Sequence, residues 1–188
     1  VAFACADDTY RVWDAAAKRL RFSVRLKVHD LGARGAFSPD GKTLAVGIDA
    51  NTIAVWDVAK RREVPGLTGH AGAAGSRTPV PIFSPDGKML ASAGYDGTVE
   101  LWDLATRRRR SVFQGHQNWS LPAAFSPDSR TLVTTSGAER ILFIWDLATG
   151  KKVATLTGYT QQIDWIGFSP DGKTLATTSD DGVLTFWN

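Results

Sequence analysis

His70, Ser92 and Asp96 are the residue types of a nucleophilic triad: a hydroxyl to attack, an imidazole to take its proton and a carboxylate to orient the imidazole. A triad also needs an exposed hydroxyl and donors for an oxyanion, and nothing near these residues in the sequence supplies them. His29, His70, His116 and Cys5 include metal-ligating types. The histidines stand 41 and 46 residues apart, however, whereas zinc ligands cluster at short spacings or converge from separate elements. The stretch from His70 to Ser76 is rich in glycine, but it has no lysine and does not join a strand to a helix, as a phosphate-binding loop would. The residues therefore predict no catalytic, metal or cofactor site.

The triad types recur along the chain, which favours a structural role. FSPDGKTLA begins at Phe37, FSPDGKMLA at Phe83, FSPDSRTLV at Phe125 and FSPDGKTLA again at Phe168, at spacings of 46, 42 and 43. Trp-Asp follows at 56–57, 102–103 and 145–146, then Trp187-Asn188, and Trp13-Asp14 stands alone near the start. Gly-His occurs at 69–70 and 115–116, with Val28-His29 and Gly158-Tyr159 at the matching places. Ser84-Pro85-Asp86-Gly87 has turn chemistry, and so has Tyr95-Asp96-Gly97, read as an Asp-Gly hairpin turn. Short extended runs between such turns at this spacing predict an all-β array. No helical stripe is present.

In this order and at this period the Gly-His, FSPDGK and Trp-Asp markers resemble those of the WD-repeat β-propeller family, in its bacterial form. The resemblance implies an all-β propeller of four-stranded antiparallel blades, each repeat supplying the outer strand of one blade and the inner three of the next. The chain divides as a partial blade at 1–27 and repeats at about 28–68, 69–114, 115–157 and 158–188, or about four and a half blades in one domain. Its two ends are not complementary, so it is expected to be a stretch of a larger, about seven-bladed ring whose remaining blades lie outside it.

The resemblance also implies a hydrogen-bonded tetrad in each repeat: His, a Ser or Thr, the hairpin Asp and the Trp. His70, Ser92, Asp96 and Trp102 fill it. His116, Thr134 and Trp145 match but offer only Glu139 for the Asp. Thr177, Asp181 and Trp187 match with Tyr159 in place of His. His29 and Trp56 match with Asp49 displaced by one residue. Buried polar networks of this kind lock turn to strand.

Trp119, Tyr95 and Asp180 fall on the family's partner-contacting face and are candidate binding residues, since aromatic residues are common anchors. Trp165 is expected to pack between blades. Pro79 and Pro81 fall in an innermost strand, which is tolerable only because that strand is an edge on the central channel.

The 188 residues carry 22 Lys+Arg and 19 Asp+Glu, a net charge of +3. The charge is unevenly placed. The FSPDGK and Trp-Asp turns share one rim, which collects Arg61, Arg62, Arg107, Arg108, Arg109, Arg110, Lys151 and Lys152 among 16 basic and nine acidic residues, a balance of about +7. The opposite rim is net acidic. A non-catalytic scaffold or docking module that binds protein or peptide partners on a rim is the expected function. The alternative is an anion-binding platform for nucleic acid or acidic lipid on the basic rim. Nucleic acid is the less expected partner, because no aromatic residues interleave with the arginine run. No apolar run reaches the ~20 residues of a membrane span, and a cytoplasmic location is expected.

Overall fold

The computed structural model describes residues 1–27, 34–71, 78–94, 96–117, 120–136 and 139–188. These form five antiparallel sheets. The first holds β1 (Ala2–Cys5), β2 (Thr9–Asp14) and β3 (Arg19–Arg25). The second holds β4 (Gly35–Phe37), β5 (Thr43–Gly47), β6 (Thr52–Asp57) and β7 (Arg62–Thr68). The third holds β8 (Val80–Phe83), β9 (Met89–Ala93), β10 (Val99–Asp103) and β11 (Arg108–Phe113). The fourth holds β12 (Ser120–Phe125), β13 (Thr131–Ser136), β14 (Leu142–Asp146) and β15 (Lys151–Leu156). The fifth holds β16 (Ile163–Phe168), β17 (Leu175–Ser179) and β18 (Leu184–Trp187). Within each sheet the strands lie in chain order, and the first strands of successive sheets are neighbours: β4 to β8, β8 to β12, β12 to β16. Among the described residues no helix is long and apolar enough to cross a membrane.

Two side-chain-closed turns set the hairpins. In the FSPD turns, Ser38, Ser84, Ser126 and Ser169 each donate Oγ–H to the Asp two residues on at 2.6 Å. Each Ser Oγ also accepts a backbone N–H five residues on, at 2.9–3.0 Å. In the Trp-Asp turns, Asp14, Asp57, Asp103 and Asp146 accept the backbone N–H three residues on at 2.7–3.0 Å. These are Asx-type closures, which offer the backbone a side-chain acceptor where the ladder ends. The residue completing the second turn adopts a left-handed conformation: Lys18 at φ 51°, Arg61 at 52°, Arg107 at 57° and Gly150 at 69°. Only the last of the four is glycine, the residue that tolerates this region without steric cost.

Packing runs between sheets rather than within them. On one face of the third sheet, Leu90 and Trp102 pack with Ala45, Ile53, Val55 and Leu67 of the second. On its other face, Ala91, Val99 and Leu101 pack with Phe125, Leu132, Phe143 and Trp145 of the fourth. All of β9 and most of β10 are accordingly buried, while β11 opens with three exposed arginines. Pro81 pairs with Ser92 from the first strand of its sheet, where a missing N–H costs no ladder bond on the open side. The turn after β9 is wider than an Asp-Gly hairpin turn: the Gly94 N–H reaches the Thr98 carbonyl, and Asp96 Oδ1 accepts the Thr98 N–H at 3.0 Å.

Trp165, expected to pack between blades, shares the outer face of the fifth sheet with Leu184 and Phe186, against which no described sheet packs. Between Ile163 and Trp165 the β16–β17 register shifts by one residue, so Asp164 and Trp165 together oppose a single step of β17. The bulge interrupts the alternation of the strand: Ile163 and Ile166 are buried, and Trp165 between them is 55% exposed.

Replacing Arg61, exposed and left-handed, with glycine removes the steric penalty without touching the core. Urea denaturation of Arg61→Gly is expected to show unchanged or higher stability, by up to about 1 kcal/mol. A clear loss would contradict the strain assigned to this turn.

Candidate interaction site

Three buried polar chains tie the connecting segments to the Trp-Asp strands. In the third sheet the Trp102 indole N–H donates to Ser92 Oγ at 2.9 Å, and Ser92 Oγ lies 2.8 Å from His70 Nε2. With Ser92 accepting from tryptophan, its own hydrogen points to Nε2, which assigns the His70 proton to Nδ1, facing Asp96 Oδ1 at 3.4 Å. Asp96 Oδ2 accepts the Ala71 N–H at 2.8 Å. A Cβ at position 94 would come within 2.5 Å of His70 Nδ1, so the network requires glycine there. Ser92 is fully buried.

The fourth sheet repeats the arrangement with a longer acid. Trp145 donates to Thr134 Oγ1 at 2.9 Å, Thr134 lies 2.9 Å from His116 Nε2, and His116 Nδ1 is 2.6 Å from Glu139 Oε2. The extra methylene of Glu139 spans the longer hairpin. Burial pushes the His116 imidazole below its ordinary pKa, against the hydrogen bond and charge of Glu139. In the fifth sheet Trp187 donates to the Tyr159 hydroxyl at 2.9 Å, which lies 2.7 Å from Thr177 Oγ1. Asp181 is not in that chain; it accepts from Ser179 Oγ at 2.6 Å and from Thr160.

The second sheet differs. Val46 occupies the register position of Ser92, and the buried Trp56 N–H has no partner among the described residues. Asp49 accepts the Asn51 N–H at 3.0 Å and lies 3.3 Å from Lys27 Nζ. His29, Tyr95 and Trp119 lie outside the described residues. The Val46 substitution is visible in the alignment of repeats, although the displaced acid draws attention first.

On the basic rim many of the cations are engaged. Arg107 donates to the Pro65 carbonyl at 2.5 Å, and Arg109 to buried Glu100 Oε1 at 2.6 Å. Arg110 reaches Met89 Sδ and the Leu147 carbonyl, each at 3.5 Å. Lys152 Nζ sits 3.9 Å from the Phe143 ring centroid. Arg61, Arg62, Arg108 and Lys151 are exposed. A crevice of about 240 Å³ on this rim mixes Asp40 and Asp86 with Arg107.

The inner strands enclose a second cavity, of about 350 Å³. Arg34, just before β4, lines it with Gly35 of β4 and Pro81 of β8, and β16 supplies Asp164 and Trp165. The indole lies over Gly167, where a Cβ would come within 2.5 Å of it. Beside it the Asp164 carboxyl meets that of Asp180, and partial desolvation followed by this carboxylate neighbour raises its pKa. The Asp180 N–H donates to the Gln162 carbonyl at 2.9 Å. Asp164 was not singled out from the sequence. Its signal is the three-residue spacing of Ile163 and Ile166, which no regular strand accommodates on one face.

The family described as WD domain, G-beta repeat, matches residues 62–103, 107–146 and 150–188, more than half of the chain. The chain belongs to the WD-repeat family. Each matched segment opens on or just before the outermost strand of one sheet and closes with the third strand of the next: β7 to β10, β11 to β14, β15 to β18. The sheets are therefore blades of the β-propeller type, and WD repeats generally mediate protein–protein interactions. No curated protein is similar enough to the chain to count as a relative. Among the described residues no group of His, Cys, Asp and Glu is placed to hold a metal.

The polar chains make opposite predictions for two blades. Ser92→Ala strands the Trp102 N–H and the His70 Nε2, and is expected to cost about 2–4 kcal/mol in urea denaturation. Val46→Thr keeps the side-chain shape, gives Trp56 an acceptor, and is expected to stabilise by about 0.5–1.5 kcal/mol. A destabilised Val46→Thr chain would contradict the assignment of Trp56 as an unmet donor.

Proposed function

We propose that this WD-repeat chain is a non-catalytic docking module that binds a protein or peptide partner on the rim carrying Asp180, at the mouth of the inner cavity. The observation that carries the reading is the match of residues 62–188 to WD repeats, which generally mediate protein–protein interactions. Large aromatic side chains in concave, partly desolvated positions are common binding anchors. Trp119, Tyr95 and Asp180, which the sequence assigns to that rim, are proposed as its contacts. The triad types Ser92, His70 and Asp96 are proposed to act as part of the blade's internal lock.

The basic rim is the less favoured surface for a partner. Arg107, Arg109 and Arg110 are held by acceptors of the chain itself, and Arg109 neutralises the buried Glu100 carboxylate. Binding of phosphate polymers would require releasing these contacts.

Peptide display on the immobilised chain, followed by fluorescence polarisation with the selected peptides, separates the two surfaces. Trp119→Ala is expected to weaken binding at least about tenfold, a hot-spot effect. Ser at the exposed Arg61, Arg62 and Arg108 is expected to leave binding within about twofold. The opposite pattern, accompanied by a steep fall in affinity with salt, would overturn the reading in favour of the basic rim.

A further inference from the structure

The second and third sheets meet at the turn rim without filling the space between them. Val55 and Leu67 of the second sheet, with Phe83 and Leu104 from the third side, floor a crevice of about 240 Å³. The third and fourth sheets meet through the same positions, and there the space is full. Met89 stands where Thr43 does, Leu101 where Val55 does and Phe113 where Leu67 does. These three pack with Phe125 and Leu147 in one buried cluster. Met89 is 7% exposed, and an Arg110 N–H approaches its Sδ at 3.5 Å. Each residue of the second sheet is smaller than its counterpart, and the crevice is the difference. An unbranched apolar side chain like that of Met89 is what fills such a space in this chain.

The mouth is polar. Asp40 and Asp86 each close their own turn through Oδ1, which accepts a serine hydroxyl at 2.6 Å and a lysine backbone N–H at 3.0 Å. Among the described residues no backbone N–H reaches Oδ2 of either carboxylate. The Lys42 ammonium, 3.6 Å from Asp40 Oδ2, belongs to a well-exposed pair, which holds weakly. Arg107 gives one N–H to the Pro65 carbonyl and retains its other guanidinium donors. An apolar floor beneath two carboxylates and a guanidinium complements a zwitterion with an apolar side chain. At about 240 Å³ the crevice is smaller than the pockets of drug-sized ligands and on the scale of one amino acid. We infer that it binds a free, unbranched apolar α-amino acid of the methionine class. The side chain rests on Val55 and Leu67, the ammonium faces Asp40 and Asp86, and the carboxylate faces Arg107. This small-molecule site lies on the rim opposite the proposed docking face and goes beyond the docking function.

The test uses the whole chain, isotope-labelled at its leucine methyl groups, with Leu67 and Leu104 assigned by Leu67→Val and Leu104→Val. Methyl NMR follows titrations with L-methionine, L-norleucine, methioninamide, N-acetylmethionine and L-glutamate. Methionine and norleucine are expected to shift the Leu67 and Leu104 methyls saturably in the millimolar range, and glutamate to leave them in place. Methioninamide, which lacks the carboxylate, and N-acetylmethionine, which lacks the ammonium, are each expected to bind about tenfold more weakly, the loss of one charged hydrogen bond. Arg107→Ala is expected to weaken methionine binding about tenfold for the same reason. Thr43→Met installs the residue of the filled interface and is expected to abolish the shifts while keeping or raising the urea midpoint. No saturable shift with methionine or norleucine up to tens of millimolar would overturn the inference. So would undiminished binding by the Thr43→Met chain, or equal binding of methionine and its two singly charged derivatives. Peptide binding on the Asp180 rim is read separately and does not depend on any of these results.

Discussion

Both faces of the central sheets are apolar, so no blade of this chain has a core of its own. Leu90 and Trp102 are buried only because the second sheet lies against them, and Ala91, Val99 and Leu101 only because the fourth does. Stability in such an array is a sum over interfaces between neighbours. That constraint explains where the polar groups are. A charged or hydroxylic side chain inside the stack must be satisfied on the spot, and the Trp–Ser–His and Trp–Thr–His chains do this while anchoring the connecting segments. What remains free to vary lies on the two rims and along the inner strands.

The turn chemistry was largely legible in the sequence, because each FSPD and Trp-Asp turn is closed by its own side chains over two to five residues. Local bonds of this kind do not depend on distant packing, and the 2.6 Å Ser–Asp contact recurs in four sheets. The roles of the polar residues were less legible. Glu139 reaches His116 because one methylene compensates for one extra hairpin residue. Tyr159 instead brings its own hydroxyl to Trp187 and leaves Asp181 to the turn. Such exchanges follow from side-chain reach, which a pattern of residue types does not encode. The β16 bulge shows the other limit: a one-residue register shift leaves only the three-residue spacing of Ile163 and Ile166 as its mark in the sequence.

The two rims are built on different terms. On the basic rim, positive charge accumulates because turn positions are solvated, and several of its arginines then serve the fold by holding Pro65, Glu100 and Leu147. By sequence the opposite rim collects Asp180, Trp119 and Tyr95, acidic and aromatic residues rather than cations. Groups that the fold does not use are the better candidates for a partner. On this account the rim carrying Asp180, rather than the most highly charged surface of the chain, is where recognition takes place.

A crystal structure of the chain with a display-selected peptide bound would test that claim most directly. The account predicts peptide density on the rim carrying Asp180, at the mouth of the inner cavity. A peptide seated on the turns bearing Arg61, Arg62 and Arg108, with the inner cavity empty, would contradict it.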